Sequence, residues 1–362
     1  MSHSLRFTRN DDYSQKLVDV KDIPRYKDDG YQVIDFHLHT TASYDVLPSS
    51  VVQPKNLYKE MMGNGWDYVT FTDHDTLDAF DLIDEASPNL IPGVEIKIKP
   101  LKIGSYKDAH TLHINVYCLT KRQFRDLEEL AQKRDFYGFK AYLDEADLPY
   151  QLNHPTWTEI DDTPDWRFLP DIVREFDVIE VINHKRPQRH NLIALKHLAE
   201  AFGKGITAGS DSHIGEPEMA TLCRGADFRE IWENIKAGDS LVVRQADIPP
   251  INKGDILSRV EQIRELIVDS GNPVEFPNRL GDAPDKWVKL LLEMLNSSPL
   301  VVKRLHCAFL RGLAHVAGDM IIRKVYLNRQ DQYANTIEFE LNRKSSLEPA
   351  FFMNTSAEIS VQ

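Results

Sequence analysis

From Tyr31 to about Arg244 the chain alternates short apolar runs with amphipathic stretches. Seven runs read as strands: Gln32 to Phe36, Tyr68 to Thr72, Asn89 to Val94, Thr111 to Leu119, Pro149 to Asn153, Val178 to Ile182 and Gly205 to Ala208. Short, continuously apolar and bounded by turn residues, they have the pattern of buried strands. Helices fit between most of them. Pro54 to Met62 has proline in its first turn, Lys121 to Arg134 follows a Thr120 cap, and Asn191 to Ala201 runs up to Gly203. Phe228 to Ala237 begins with Asp227 and Glu230 at capping-box spacing and stops at Gly238. This alternation predicts an α/β fold, with a parallel sheet closed or covered by helices.

The rhythm changes after Pro249 and Pro250. Ile256, Leu257, Val260, Ile263, Leu266 and Ile267 repeat at helical spacing, and Trp287 to Leu295 and Leu300 to Val325 continue the pattern. The expected organisation is an arm or edge lead-in over 1–30, a barrel over 31–248, a mainly helical region over 249–345 and a flexible tail over 346–362. His306 and His315, nine residues apart in the helical part, are not a one-turn ligand pair and read as packing or surface residues.

Composition narrows the function. A chain of 362 residues, 42% hydrophobic, can bury a full core. With no apolar run of the roughly 20 residues a membrane span needs, and a polar start, a cytoplasmic protein without membrane association is expected. Cys118, Cys223 and Cys307 are scattered and form no CxxC pair, so they read as small buried apolar residues rather than disulfides or zinc ligands. The net charge of −13 argues against duplex nucleic acid as a partner and suits a small anionic substrate held by metal.

The candidate chemistry begins at Val33-Ile34-Asp35-Phe36-His37-Leu38-His39. A strand sends alternate side chains to one face, so His37 and His39 can both meet one ion, although two histidines on a solvated face would look the same. What changes the picture is repetition. Polar residues recur where expected strands run out: Asp73-His74-Asp75, Glu95, Asn153-His154-Pro155, and Gly209-Ser210-Asp211-Ser212-His213. In parallel barrels those strand ends face one cavity. His113 is preferred over the neighbouring His110, which is expected to support a ligand or face solvent; Asp45 follows the first pair in a loop and could be a solvated turn, but its proximity to the pair favours ligation. Histidine and carboxylate donors suit zinc, manganese and iron alike.

In order and spacing these motifs resemble the PHP (polymerase and histidinol phosphatase) family of metal-dependent phosphoesterases. The family's pattern stands here as His37-Leu38-His39, Thr72-Asp73-His74-Asp75, Gly93-Val94-Glu95, His154-Pro155 and Ser210-Asp211-Ser212-His213. It covers about Tyr31 to Arg244 and departs at Tyr44 and Val46, where a Ser-Asp-Gly turn is commoner. The resemblance implies a distorted (β/α)7 barrel with two or three divalent metals and a metal-bound hydroxide as nucleophile, with no separate protein nucleophile. It also implies ligand roles: His37, His39, Glu95 and Asp211 on one metal, Glu95 bridging to a second held by His113 and His154, and Asp45, His74 and His213 on a third.

Phosphate also needs positive charge beyond the metals. In the basic segment Asn183-His184-Lys185-Arg186-Pro187-Gln188-Arg189-His190, Arg186 is the first candidate, against the alternative of a solvated loop; Lys97, Lys102 and His184 are weaker ones. The leading reading is a hydrolase acting on a small phosphorylated metabolite, mono- or diester. The alternatives are a 3′-to-5′ exonuclease or oligonucleotide phosphodiesterase, and a non-catalytic, metal-stabilised module whose helical part binds a protein partner.

Overall fold

The computed structural model describes residues 12–244, apart from 47–48, 84–86, 88, 105, 108, 159–161 and 216–218, and residues 298–347, with 257, 260, 261 and 264 between them. Its strands are β1 (Leu17–Val18), β2 (Gln32–Asp35), β3 (Tyr68–Phe71), β4 (Leu90–Ile98), β5 (Lys102–Ile103), β6 (Tyr106–Lys107), β7 (Leu112–Tyr117), β8 (Tyr150–Leu152), β9 (Val178–Asn183), β10 (Gly205–Gly209), β11 (Thr221–Cys223) and β12 (Leu241–Val243). The helices are α1 (Ile23–Asp28), α2 (Pro54–Gly63), α3 (Lys121–Gln132), α4 (Phe136–Glu145), α5 (Leu169–Arg174), α6 (Gln188–Leu192), α7 (Phe228–Lys236), α8 (Leu300–Ile322) and α9 (Asn328–Leu347).

Strands β2-β3-β4-β7-β8-β9-β10 are neighbours in that order. The sheet then closes on itself. Phe36 N donates to Ala208 O at 3.4 Å, Asp211 N to His37 O at 2.7 Å and His39 N to Ser212 O at 3.2 Å, and Leu38 and Ser212 form a parallel bridge. The barrel therefore has seven strands, the seven that the apolar runs predict. Its distortion lies in β7, which is antiparallel to both β4 and β8, whereas β2, β3 and β4 pair in parallel, as do β8, β9 and β10. A parallel return needs a crossover, usually a helix. Among its described residues the link from β4 to β7 carries only the β5–β6 hairpin, so β7 comes back reversed, and two helices, α3 and α4, then restore the strand direction at β8.

The core forms where strand residues such as Val94, Ile96, Ile114, Val116, Ile179 and Ile206 meet Leu127, Phe139, Leu143, Ile172 and Leu195 from the helices. Ala334 and Ile337 of α9 are buried in the same cluster, and Tyr333 packs edge-on to Trp166 at 5.3 Å, so the C-terminal helix rests on the barrel. Outside the closed barrel, β11 and β12 extend from β2 and β1 forms the edge. No helix among the described residues is long and apolar enough to cross a membrane.

Helix boundaries follow their caps. Thr120 Oγ1 accepts from Gln123 N while Gln123 Oε1 accepts from Thr120 N, a reciprocal capping box. Asp227 caps α7 through Glu230 N, but Glu230 reaches one residue further back, to Ala226 N at 2.8 Å. The helix expected over Asn191–Ala201 starts earlier, as α6, and runs on as a π-helix over Ile193–Glu200. Helices α4 and α5 and strands β11 and β12 go beyond the elements read from the sequence. Expected helical positions Trp287 to Leu295, most of 256–267, and the tail from 348 on lie outside the described residues; Leu257 and Val260 are helical.

Two expectations are corrected. Cys118 is exposed, because it turns out of β7 with a left-handed φ of 58°, while Cys223 and Cys307 are buried. His110 is neither exposed nor in the metal cluster: it is buried between Trp166 and Phe168, with ring centroids 4.8 and 4.7 Å away. Burial lowers its pKa to about 4 from the ordinary 6.5, despite the opposing pull of Asp162 and Asp165. The unfolded chain therefore binds more protons than the folded one between pH 4 and 6.5, and this contribution to stability is full above 6.5 and lost as pH falls. His110→Phe keeps a ring in the pocket and removes the titration. Relative to the parent, it should gain roughly 2 kcal/mol in urea unfolding on going from pH 7.5 to pH 5; an unchanged difference between the two pH values would refute the assignment.

Candidate metal centre

Glu95 is the hub of the site. It sits in β4 between buried Val94 and Ile96, and it is itself 1% exposed. Its Oε2 lies 3.1 Å from His37 Nε2, 3.4 Å from His39 Nε2 and 3.2 Å from His74 Nδ1. Its Oε1 lies 2.9 Å from His113 Nδ1 and 3.4 Å from His154 Nε2. On one side Asp211 Oδ1 is 3.6 Å from His37 and 3.3 Å from His39. On the other, Asp45 Oδ2 is 2.8 Å from His213 Nε2 and 3.3 Å from His74 Nε2. All nine positions singled out in the sequence thus gather at one barrel mouth.

The chain directs each of them there. Alternation in the strand continuation beyond β2 puts His37 and His39 on one side, with ring centroids 5.1 Å apart. His74, Asp211 and His154 follow the ends of β3, β10 and β8. His113 does not come from a C-terminal strand end. It is the second residue of β7, and only the reversal of that strand brings its start to the mouth. Backbones at the site leave ordinary territory: Asp75, His154 and Asp211 have φ of 50°, 25° and 49°, a region that non-glycine residues enter at a cost. Hydrogen bonds hold two of them there, Asp211 N on His37 O and His154 N on Glu180 Oε2 at 2.9 Å.

The donor set fits divalent metal. Bonds of about 2.1 Å from imidazole and carboxylate to one ion place the donors about 3.0 to 3.4 Å from each other in octahedral or tetrahedral geometry. The nitrogen and oxygen separations here fall in and around that range. Four triads have their donor atoms within 4.8 Å of one another: His39, His74 and His213; His37, His39 and Asp211; His37, Glu95 and His154; and His74, Glu95 and His113. Hydrogen bonding alone does not account for them, since neither ring nitrogen of His39, nor Nδ1 of His74, has a hydrogen-bonding partner among the described residues.

Electrostatics agree. Burial opposes charge on His37, yet Glu95, Asp211 and Glu180 hold its pKa well above the ordinary value, and His39 is pushed up to about 10. Burial would raise the Glu95 and Asp211 carboxyls, but His37 and the other cations around them hold both well below the usual range. The cavity is built for dense positive charge.

Sequence reading missed the residues that support these donors. Glu180, fully buried in β9, accepts from His37 Nδ1 at 3.0 Å. That bond fixes a proton on Nδ1 and turns Nε2 toward the space shared with Glu95 and Asp211, where its lone pair would meet an ion. His213 is fixed likewise, with Nδ1 on the Asp211 carbonyl at 2.9 Å and Nε2 toward Asp45. Asn153 Nδ2 donates to Glu95 at 2.9 Å, Asn183 Nδ2 to Glu180 at 3.0 Å, and Asp35 accepts from His37 N and Ser210 N, both at 3.0 Å. A glutamate inside the apolar run Val-Ile-Glu-Val-Ile was the available signal, because carboxylates are buried only when paired.

Arg186 is 8% exposed rather than part of a solvated loop: Nη2 donates to Asp211 Oδ2 at 3.2 Å, and the guanidinium lies over Trp157 at 4.1 Å. Lys97 contacts the Tyr44 hydroxyl, and the Tyr44 ring stacks on His74 at 5.2 Å. These residues, with Asp75, Glu128 and Gln132, line a cavity of about 370 Å³ beside the cluster. Lys102 is exposed on β5, and His184 contributes a backbone bond to Gly209 O at 3.1 Å.

No family model and no curated protein matches the chain. Solved structures do. A two-domain protein from Bacteroides vulgatus, described as containing a predicted PHP-like metal-dependent phosphoesterase, matches at 20% identity and a TM-score of 0.45, over 65% of this chain and 71% of that one. PsfC from Pseudomonas syringae matches at 16% identity and a TM-score of 0.45, over 64% of this chain and 98% of that one. The lesion-specific endonuclease PfuEndoQ from Pyrococcus furiosus matches at 14% identity and a TM-score of 0.38, over 59% of this chain and 57% of that one. All three are distant likenesses.

Gly209 shows how tight the support is, since a Cβ there would stand 2.3 Å from His37 Cβ and 2.4 Å from Glu180 Oε1. Glu180→Gln should weaken metal binding about 10- to 100-fold in competition with a chelator, and Gly209→Ala should weaken it at least as much. Wild-type affinity in both variants would show that the Glu180–His37 contact does not orient a ligand.

Proposed function

We propose that this chain is a PHP-type metal-dependent phosphoesterase that hydrolyses a small phosphorylated metabolite at a site of two or three divalent ions. The observation that carries the reading is the convergence of five imidazoles on the buried Glu95, flanked by Asp211 and by Asp45 at metal-donor spacing. His37, His39, Glu95 and Asp211 would hold one ion. Glu95 would be shared with a second held by His113 and His154, and Asp45, His74 and His213 would hold a third. Zinc, manganese and iron all accept this set. Such ions lower the pKa of bound water from about 16 toward about 7 and offset charge on phosphoryl and leaving oxygens.

The protein's own residues would bind and orient the ester. Arg186, stacked on Trp157 at the mouth, is placed to meet a phosphoryl oxygen. The cavity beside His74 has a volume suited to the non-phosphate part of a small ester, with Tyr44 and Lys97 on its wall. Glu180 and Asn153 keep the donors in register, so that little reorganisation is needed when substrate arrives.

Metal-reconstituted protein should cleave p-nitrophenyl phosphate or its bis ester in preference to labelled single-stranded DNA. His37→Ala and Asp211→Ala should each lose metal and activity by more than the roughly 100-fold that losing a supporting partner costs. Cleavage of DNA alone would replace this reading with a nuclease. Variants that kept both metal and activity would abolish the proposed centre.

A further inference from the structure

The segment between α8 and α9 places one side chain in the site. Tyr326 lies in the π-helical Arg323–Leu327, and its hydroxyl accepts from Arg186 Nη1 at 3.2 Å while donating to Lys185 O at 2.9 Å. We propose that Tyr326 is a positioning residue that orients the Arg186 guanidinium for the substrate phosphate, so that the C-terminal helical pair is a working part of the hydrolytic centre. This inference rests on the phosphoesterase reading above and adds to it a region that the barrel motifs do not reach.

Three observations carry it. First, the guanidinium is held on three sides by different elements: by Trp157 beneath it at 4.1 Å, by Asp211 Oδ2 at 3.2 Å, and by Tyr326. Fixing the plane of a guanidinium is what bidentate recognition of a phosphate requires. Second, the hydroxyl proton is committed to the Lys185 carbonyl, so Tyr326 offers Arg186 a neutral acceptor. A carboxylate in its place would orient the arginine equally well but cancel the charge that an anionic substrate needs. Third, the position of Tyr326 is set by packing. Helix α9 buries Ala334 and Ile337 in the barrel core, the Gln330 carbonyl accepts from His190 Nε2 at 2.9 Å, and Arg329 donates to Asp162 O at 3.3 Å. Arg189 and Glu338 pair at 2.7 Å across the same junction. The loop that bears Arg186 is therefore gripped by the helical pair before and after the arginine.

The experiment uses the full chain reconstituted with metal, comparing Tyr326→Phe, Arg186→Gln and the double variant. The readouts are kcat and KM for p-nitrophenyl phosphate, calorimetric binding of inorganic phosphate, metal content and melting temperature. Tyr326→Phe keeps the ring and removes one hydrogen bond to a charged group. It should raise KM and weaken phosphate binding about tenfold with kcat changed far less and metal content unaltered. In the Arg186→Gln background the same substitution should change phosphate binding less than about twofold, the non-additivity expected of residues acting through one another. Equal losses in both backgrounds, or wild-type KM and phosphate affinity in Tyr326→Phe, would overturn the proposal while leaving the phosphoesterase reading in place. A wild-type protein that takes up metal but neither cleaves esters nor binds phosphate would remove that reading, and this one with it.

Discussion

Burying the Glu95 carboxylate is the constraint on which the rest of the barrel mouth depends. A carboxylate taken out of water costs many kcal/mol unless cations or strong donors surround it. Here the Asn153 amide donates to it, and five imidazoles on or just beyond β2, β3, β7 and β8 ring it at the spacing of donors to shared cations. Each of those elements has to end within a few ångströms of one point, which ties strand register and barrel closure to the chemistry. Gly93 shows the same pressure two residues before Glu95: a Cβ there would come within 2.5 Å of Thr70 Oγ1, so the Thr70 side chain on β3 fills the space that any larger residue would need.

The surrounding polar residues solve a second problem, which is where each proton sits. An imidazole binds a cation only through an unprotonated nitrogen, so the other nitrogen must donate elsewhere. Glu180 takes that proton from His37 and the Asp211 carbonyl takes it from His213. The left-handed backbone at Asp211 serves the same end. It turns the chain so that the carbonyl faces His213 while Oδ1 faces His37 and His39 and Oδ2 faces Arg186. One strained residue thus addresses four neighbours, and the bond from its N–H to His37 O compensates the strain.

What could be read from the sequence was whatever is written locally. The seven strands were legible as apolar runs, and the donors were legible because histidines and carboxylates repeatedly follow such runs. The direction of β7 was not, since it depends on the β4–β7 link carrying a hairpin instead of a helix, and so His113 was found in the right place for an incomplete reason. Glu180 and Tyr326 escaped for a different cause: their partners lie 143 and 140 residues away. His110 was misplaced because it lies two residues ahead of β7, where strand alternation gives no direction, and its place is set by Trp166 and Phe168, which are distant in the chain.

The junction between barrel and C-terminal helices bears on what kind of rigidity the site has. Except for Asp45, the candidate donors stand on or just beyond strands, whose positions are fixed by the sheet. Arg186 stands on a loop, where position is ordinarily soft. The structure compensates by pinning that loop from outside the barrel, at Lys185 O, Arg186, Arg189 and His190, with side chains and backbone of the helical pair. His190 is buried there, its pKa lowered to about 4 chiefly by burial, so it adds no charge to the junction at neutral pH. Precision at the loop is therefore borrowed from α9, which has it chiefly because Ala334 and Ile337 are buried in the barrel core. A substitution that loosens that packing would disturb the arginine before it reached the strand-borne donors.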